Sequence, residues 1–117
     1  MATVGGNRIL VNGVTLTAGA ADTTSDTWNK GQSGGTALIK ITNGGTGPTV
    51  AAQVQPEASW DGIEFFTDGG PLVAGVVAAT PYSWTYDPPE GCSNVRFVCG
   101  SNTDEDVTVM IHVQGGY

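Results

Sequence analysis

A chain of 117 residues with eleven carboxylates against four cations carries a net charge of −7. It repels phosphate backbones, and Arg8, Lys30, Lys40 and Arg96 are too scattered to form a basic patch, so nucleic acid is an unsuitable partner. Charged residues make up 13% of the chain, about half the usual ~25%, and Thr, Ser, Asn and Gln stand where Lys and Glu would be, as suits solvent-facing strands.

Residues 1–7 lack a basic segment followed by an apolar run, and no apolar stretch approaches the ~20 residues that cross a bilayer, so neither a secretory leader nor a membrane partner is expected. The chain reads as complete and made in a cytoplasm. Gly5 and Gly6 give no reason to hold residues 1–7 against a core, which predicts a flexible N-terminal arm. Next, Asn12-Gly13 predicts a tight hairpin between strands at 8–11 and 14–17. Residues 17–35, rich in Ala, Gly, Thr, Ser and Asp, are irregular and hold one large anchor, Trp28.

Period-two alternation then sets in. Ala37, Ile39 and Ile41 alternate with Leu38, Lys40 and Thr42; Val50, Ala52 and Val54 alternate with Ala51, Gln53 and Gln55. A Gly- and Pro-rich turn at 43–48 separates them. Asp61-Gly62 and the turn at 68–71 lead to an apolar run at 72–79, and Tyr82, Trp84 and Tyr86 share one face of the next strand. After the turn at 87–91, Val95, Phe97 and Cys99 face the core while Arg96 points outward. A turn at 100–106 leads to the last strand, where Val107, Val109, Ile111 and Val113 oppose Thr108, Met110 and His112. The last two strands are expected to pair as a hairpin centred near Thr103. Eighteen glycines interrupt any long helix. The expectation is one all-β domain over residues 1–117, an antiparallel β-sandwich or jelly-roll-like barrel of about seven to nine short strands.

Catalytic chemistry finds little to stand on. His112 is the single histidine and reads as a solvated strand residue, with Asn94 expected opposite. Cys92 and Cys99 would sit about 23 Å apart along one strand, beyond the ~4.4–6.8 Å a disulfide spans, so two free thiols are expected, with only Cys99 facing the core. The acids at 104–106 lack the glycine and distal glutamate of an EF-hand loop. Asp61, Glu64 and Asp68 have no fixed separation for glycoside hydrolysis, and Gly44-Gly-Thr-Gly47 has no Lys-Ser/Thr after it to cradle phosphate. The expectation is therefore no enzyme, no metal and no cofactor. Aromatics are what remain: Trp60, Tyr82, Trp84 and Tyr86 are the candidate interaction residues, either core filling or a platform for a sugar or a protein.

Residues 36–62, from Thr36-Ala-Leu-Ile-Lys-Ile41 to Ser59-Trp-Asp-Gly62, resemble small virion proteins of tailed bacteriophages. So do Tyr82-Ser-Trp-Thr-Tyr86, Val95-Arg-Phe-Val-Cys-Gly-Ser-Asn-Thr103 and the strand at 107–113, so that the likeness spans roughly residues 26–114. It is a likeness of layout and carries no catalytic residues. It implies a β-sandwich decoration or cement protein on the outer capsid surface of the virion, made in the host cytoplasm. Such a protein is a homotrimer and clamps the major capsid protein of the assembled shell. The alternative is a carbohydrate- or receptor-binding module of a tail or fibre that uses exposed aromatics.

Overall fold

Alternation becomes strand wherever a run of β-branched or aromatic residues can bury one face and wet the other. The computed structural model describes residues 3–4, 8–31 and 34–115. Among them are eleven strands and no helix: β1 (Thr3–Val4), β2 (Arg8–Leu16), β3 (Thr23–Thr24), β4 (Thr27–Asn29), β5 (Gly35–Asn43), β6 (Gln53–Ser59), β7 (Phe66–Thr67), β8 (Leu72–Val73), β9 (Pro81–Tyr86), β10 (Asn94–Gly100) and β11 (Val107–Gly115). Ala37, Ile39 and Ile41 of β5, Val95 and Phe97 of β10, and Val107, Val109, Ile111 and Val113 of β11 are buried, as their alternation predicts.

Two sheets result. Sheet A runs β1-β4-β10-β6-β7, with β3 also on β10 and β8 also on β6; sheet B runs β2-β11-β5-β9. Apart from the parallel β1–β4 contact, the ladders are antiparallel. If β3 and β4 are counted as one interrupted strand and β7 and β8 as another, the chain alternates between sheets in the order of an eight-stranded jelly roll, with β1 added at an edge. The break between β7 and β8 falls opposite Pro56, which has no N–H to donate: β8 pairs with Gln53 and Val54, β7 with Glu57 and Ala58.

The core lies between the sheets. Trp28 and Phe97 are fully buried and are its largest side chains. Trp28 stands on sheet A, and its indole Nε1–H donates to the carbonyl of Gly115 on sheet B at 3.3 Å. Gly35 makes room for it, since a Cβ there would come 2.7 Å from the indole ring.

Several expectations are corrected. Asn12-Gly13 does not turn a hairpin: β2 is one continuous strand on β11, with register shifts between Val109 and Ile111, and Gly13 uses its positive φ of 61° inside it. β10 and β11 are not hairpin mates either; the 101–106 loop carries the chain from sheet A to sheet B. His112 therefore lies opposite Leu38 and Ile9, not Asn94. Val50 precedes β6 and is exposed. Both cysteines are free, but Cys92 is as buried as Cys99, not the exposed member of the pair. Of residues 1–7, expected as a flexible arm, Thr3 and Val4 pair with Thr27 and Trp28; the others lie outside the described residues.

Candidate interaction site

The four aromatics do not form one surface. Tyr82, Trp84 and Tyr86 share a face of β9, as alternation requires, but that face turns inward: all three are half-buried and pack against the core. The Tyr86 ring meets Phe97 edge-on at 5.8 Å, and its hydroxyl donates to Asp68 Oδ2 at 2.6 Å. Burial and the Asp68 carboxylate hold this phenol far above its ordinary range. Tyr82 directs its hydroxyl at the Val77 N–H. β9 is thus the closing edge of the sandwich rather than a platform.

Trp60 is different. It follows β6 directly, is 53% exposed, and stacks on Phe66 with ring centroids 4.9 Å apart and planes inclined by 17°. Ile63, in the same loop, is 81% exposed. The loop holds its shape through Asp61, whose Oδ1 accepts the N–H groups of Ile63 and Glu64 at 2.8 and 2.9 Å and the Ser59 hydroxyl at 3.0 Å. Those bonds, the one from Ile63 foremost, hold the carboxyl below its ordinary range. Asp61 is therefore a structural anion that fixes the turn, and Asp68 is engaged by Tyr86, which ties these two acids to local structure.

Neighbouring loops brace the platform. Ser93 N–H donates to the Ser59 carbonyl at 2.9 Å and its hydroxyl to the Trp60 carbonyl at 3.2 Å. Gly91, at a φ of 86°, lies against the indole. Beyond Gly91 opens a shallow cavity of about 230 Å³ lined by Lys30, Gly34, Gly35, Asp87, Pro88 and Glu90 as well as Gly91. Phe65 turns away from Trp60 and covers the Arg96 guanidinium at 4.1 Å, while Arg96 Nε pairs with Glu57 Oε1 at 2.7 Å. The sequence singles out Trp60 but not Ile63. The available signal was an apolar residue in an acidic, glycine-bearing turn where nothing local can cover it.

The remaining candidates are dispersed. His112 sits on the outer face of sheet B. Asp106 Oδ1 accepts the Ala18 N–H at 2.8 Å, bracing the loop at 101–106. Among the described residues no three His, Cys, Asp or Glu side chains gather around a common point.

No protein-family model matches the chain, and no curated protein matches it. Among solved structures, it is similar to the cleaved adhesin domain of Lys-gingipain from Porphyromonas gingivalis. The identity is 17% and the TM-score 0.56, over 80% of this chain and 62% of that one. The chain therefore spans less than two thirds of that domain, and the likeness is one of fold: an all-β sandwich.

Proposed function

We propose that this protein is a non-catalytic attachment module that seats its Trp60 end on a larger protein surface, and that the surface is the assembled capsid shell of a tailed phage, which it coats as a cement protein. The observation that carries the attachment is the exposed trio of Trp60 and Ile63, on a turn pinned by Asp61, and Phe66 of β7, stacked on Trp60. Large apolar side chains held rigidly in water lose little entropy on docking and act as anchors at protein interfaces. The resemblance to virion proteins supplies the shell as partner. A clamp that touches several capsid subunits gains by avidity and so favours the assembled shell over free subunits.

The test mixes purified protein with shells that lack it and measures co-sedimentation and the temperature of genome release. Retention with a raised release temperature is expected, and Trp60→Ala should abolish retention while costing no more than about 1.5 kcal/mol of stability, the stacking on Phe66. Retention unaffected by Trp60→Ala and Ile63→Asp would overturn the docking end.

A second reading, glycan or receptor adhesion, is favoured by the cavity of about 230 Å³ that lies across Gly91 from the indole and holds Lys30, Asp87 and Glu90 in its lining. The structural neighbour is an adhesin domain, which is compatible with it. It requires saturable glycan binding that Trp60→Ala removes, without shell retention.

A further inference from the structure

Residues 17–27 supply no large apolar side chain, and the edge of the sandwich shows the consequence. β3 covers β10 at only two positions, Thr24 opposite Val98 and Thr23 opposite Cys99, before the chain turns away at Ser25 and Asp26. Ser25 is occupied with backbone: its N–H donates to the Phe97 carbonyl, and its hydroxyl accepts the Phe97 N–H at 3.0 Å and donates to the Asp26 carbonyl at 2.8 Å. On sheet B, β2 is irregular in its pairing, with Gly13 at a φ of 61°.

A cleft of about 200 Å³ remains between β2 and β3. Val11, Leu16, Cys99 and Val109, all buried, form its floor, and Leu10 and Val14 form an apolar wall. Val14 is 41% exposed. The exposed Asn12 and Thr24 and the half-buried Asp26 border the mouth. Past Cys99, a smaller pocket of about 70 Å³ continues to Ala20 and Ala21.

We propose that this cleft binds a small uncharged ring compound, the size of a substituted benzene or an indole, with its apolar body against Cys99 and Val109. Size, polarity and charge each narrow the class. An apolar cavity of ~150 Å³ takes benzene, so about 200 Å³ suits a substituted or fused ring and is too small for a peptide or a sugar chain. Water is a poor occupant, because it needs several polar partners and Ser25 already uses both its N–H and its hydroxyl. A carboxylate would meet Asp26 at the mouth and Asp22 beside Gly100. A cation on the floor would lie against aliphatic side chains without a counter-charge. The site is also separate from the docking end: β10 meets Ser59, beside Trp60, at Asn94 and reaches the cleft at its other end, at Cys99.

Indole is the probe, with benzoate and glucose as controls. Amide shifts of the isotope-labelled full chain should respond saturably to indole at β2, β3 and Cys99. Benzoate and glucose at the same concentrations should leave those amides in place. Val14→Trp, at an exposed position, sets a ring of its own in the mouth and should raise the dissociation constant for indole by roughly tenfold or more. Circular dichroism checks that the variant folds, and the shift map of the unaltered chain decides the question without it. No saturable response to indole, a response centred elsewhere, or an equal response to benzoate overturns the proposal. So does a folded Val14→Trp chain that binds indole as before. Trp60→Ala should bind indole unchanged, so this site and the docking role can fail independently.

Discussion

The two sheets share one core and differ on their outer faces. On the two central strands of sheet A, β6 and β10, the outward residues are half-buried: Arg96 is held by Glu57 across the ladder and roofed by Phe65, and Gln55 reaches over to the Gly69 carbonyl at 3.2 Å. On sheet B the outward residues Leu38, Lys40, Thr108 and Met110 stand in water. Topology explains the contrast. β6, β7 and β8 are consecutive in the chain and lie in one sheet, so their connecting segments can fold back over it. The four strands of sheet B are joined only through crossovers to sheet A, and no connecting segment has cause to cover them. A jelly roll therefore tends to roof the sheet that owns its hairpins and to leave the other open.

The strongest way to break this picture is to remove what the sheets have in common. Trp28→Ala deletes the largest buried ring and its bond to Gly115, and should cost about 3–5 kcal/mol in a denaturant titration. A loss below ~1 kcal/mol would mean that the sheets do not depend on that packing. Next in size is an alkaline effect on the inner face of sheet A. Burial, with Asp22 adding to it, pushes the Cys99 thiol from 9.0 up to about 12. A raised folded-state pKa means that stability is intact below about pH 9 and is lost as pH climbs toward 12, at up to ~1.4 kcal/mol per unit from this group. Cys99→Ala lowers stability at neutral pH but should flatten that alkaline slope; an unchanged slope would assign it to other groups. Smallest is the outer-face contrast itself. Arg96→Ala removes a half-exposed ion pair and a ring contact and should cost about 1 kcal/mol, whereas Lys40→Ala on the bare sheet should stay within about 0.5 kcal/mol of zero. Equal costs would erase the distinction between the sheets.

Much of this was legible in the sequence, for a physical reason. Side-chain alternation has period two, so the buried partners in β5, β10 and β11 could be assigned from apolar spacing alone. Alternation says which residues share a face, however, and not which way that face turns. Tyr82, Trp84 and Tyr86 were correctly grouped, yet as an edge strand they close the core rather than display themselves. Turn residues are similarly ambiguous. The 101–106 loop shows where the chain reverses but not whether the next strand joins the same sheet, and Asn12-Gly13 marks a place for positive φ that a bulge uses as readily as a hairpin. Cys92 was misplaced because it precedes its strand, where period two no longer applies. Ile63 escaped notice because a single apolar residue in a loop has no period at all.

The alternation of the chain between sheets also governs when the molecule can fold. Among the described residues, β2 lies at the edge of sheet B with β11 as its ladder partner, and β11 is the last of the described strands in chain order. On the ribosome, residues 8–16 must wait unpaired until residues 107–115 have emerged, and β5 must wait for one of its two neighbours. Closing so long a loop before any contact rewards it makes folding slow relative to a hairpin-built sandwich. It also leaves sheet B incomplete until β11 is available. A nascent chain stopped before residue 107 lacks the strand that joins β2 to β5, so the core of the sandwich cannot close before β11 has emerged.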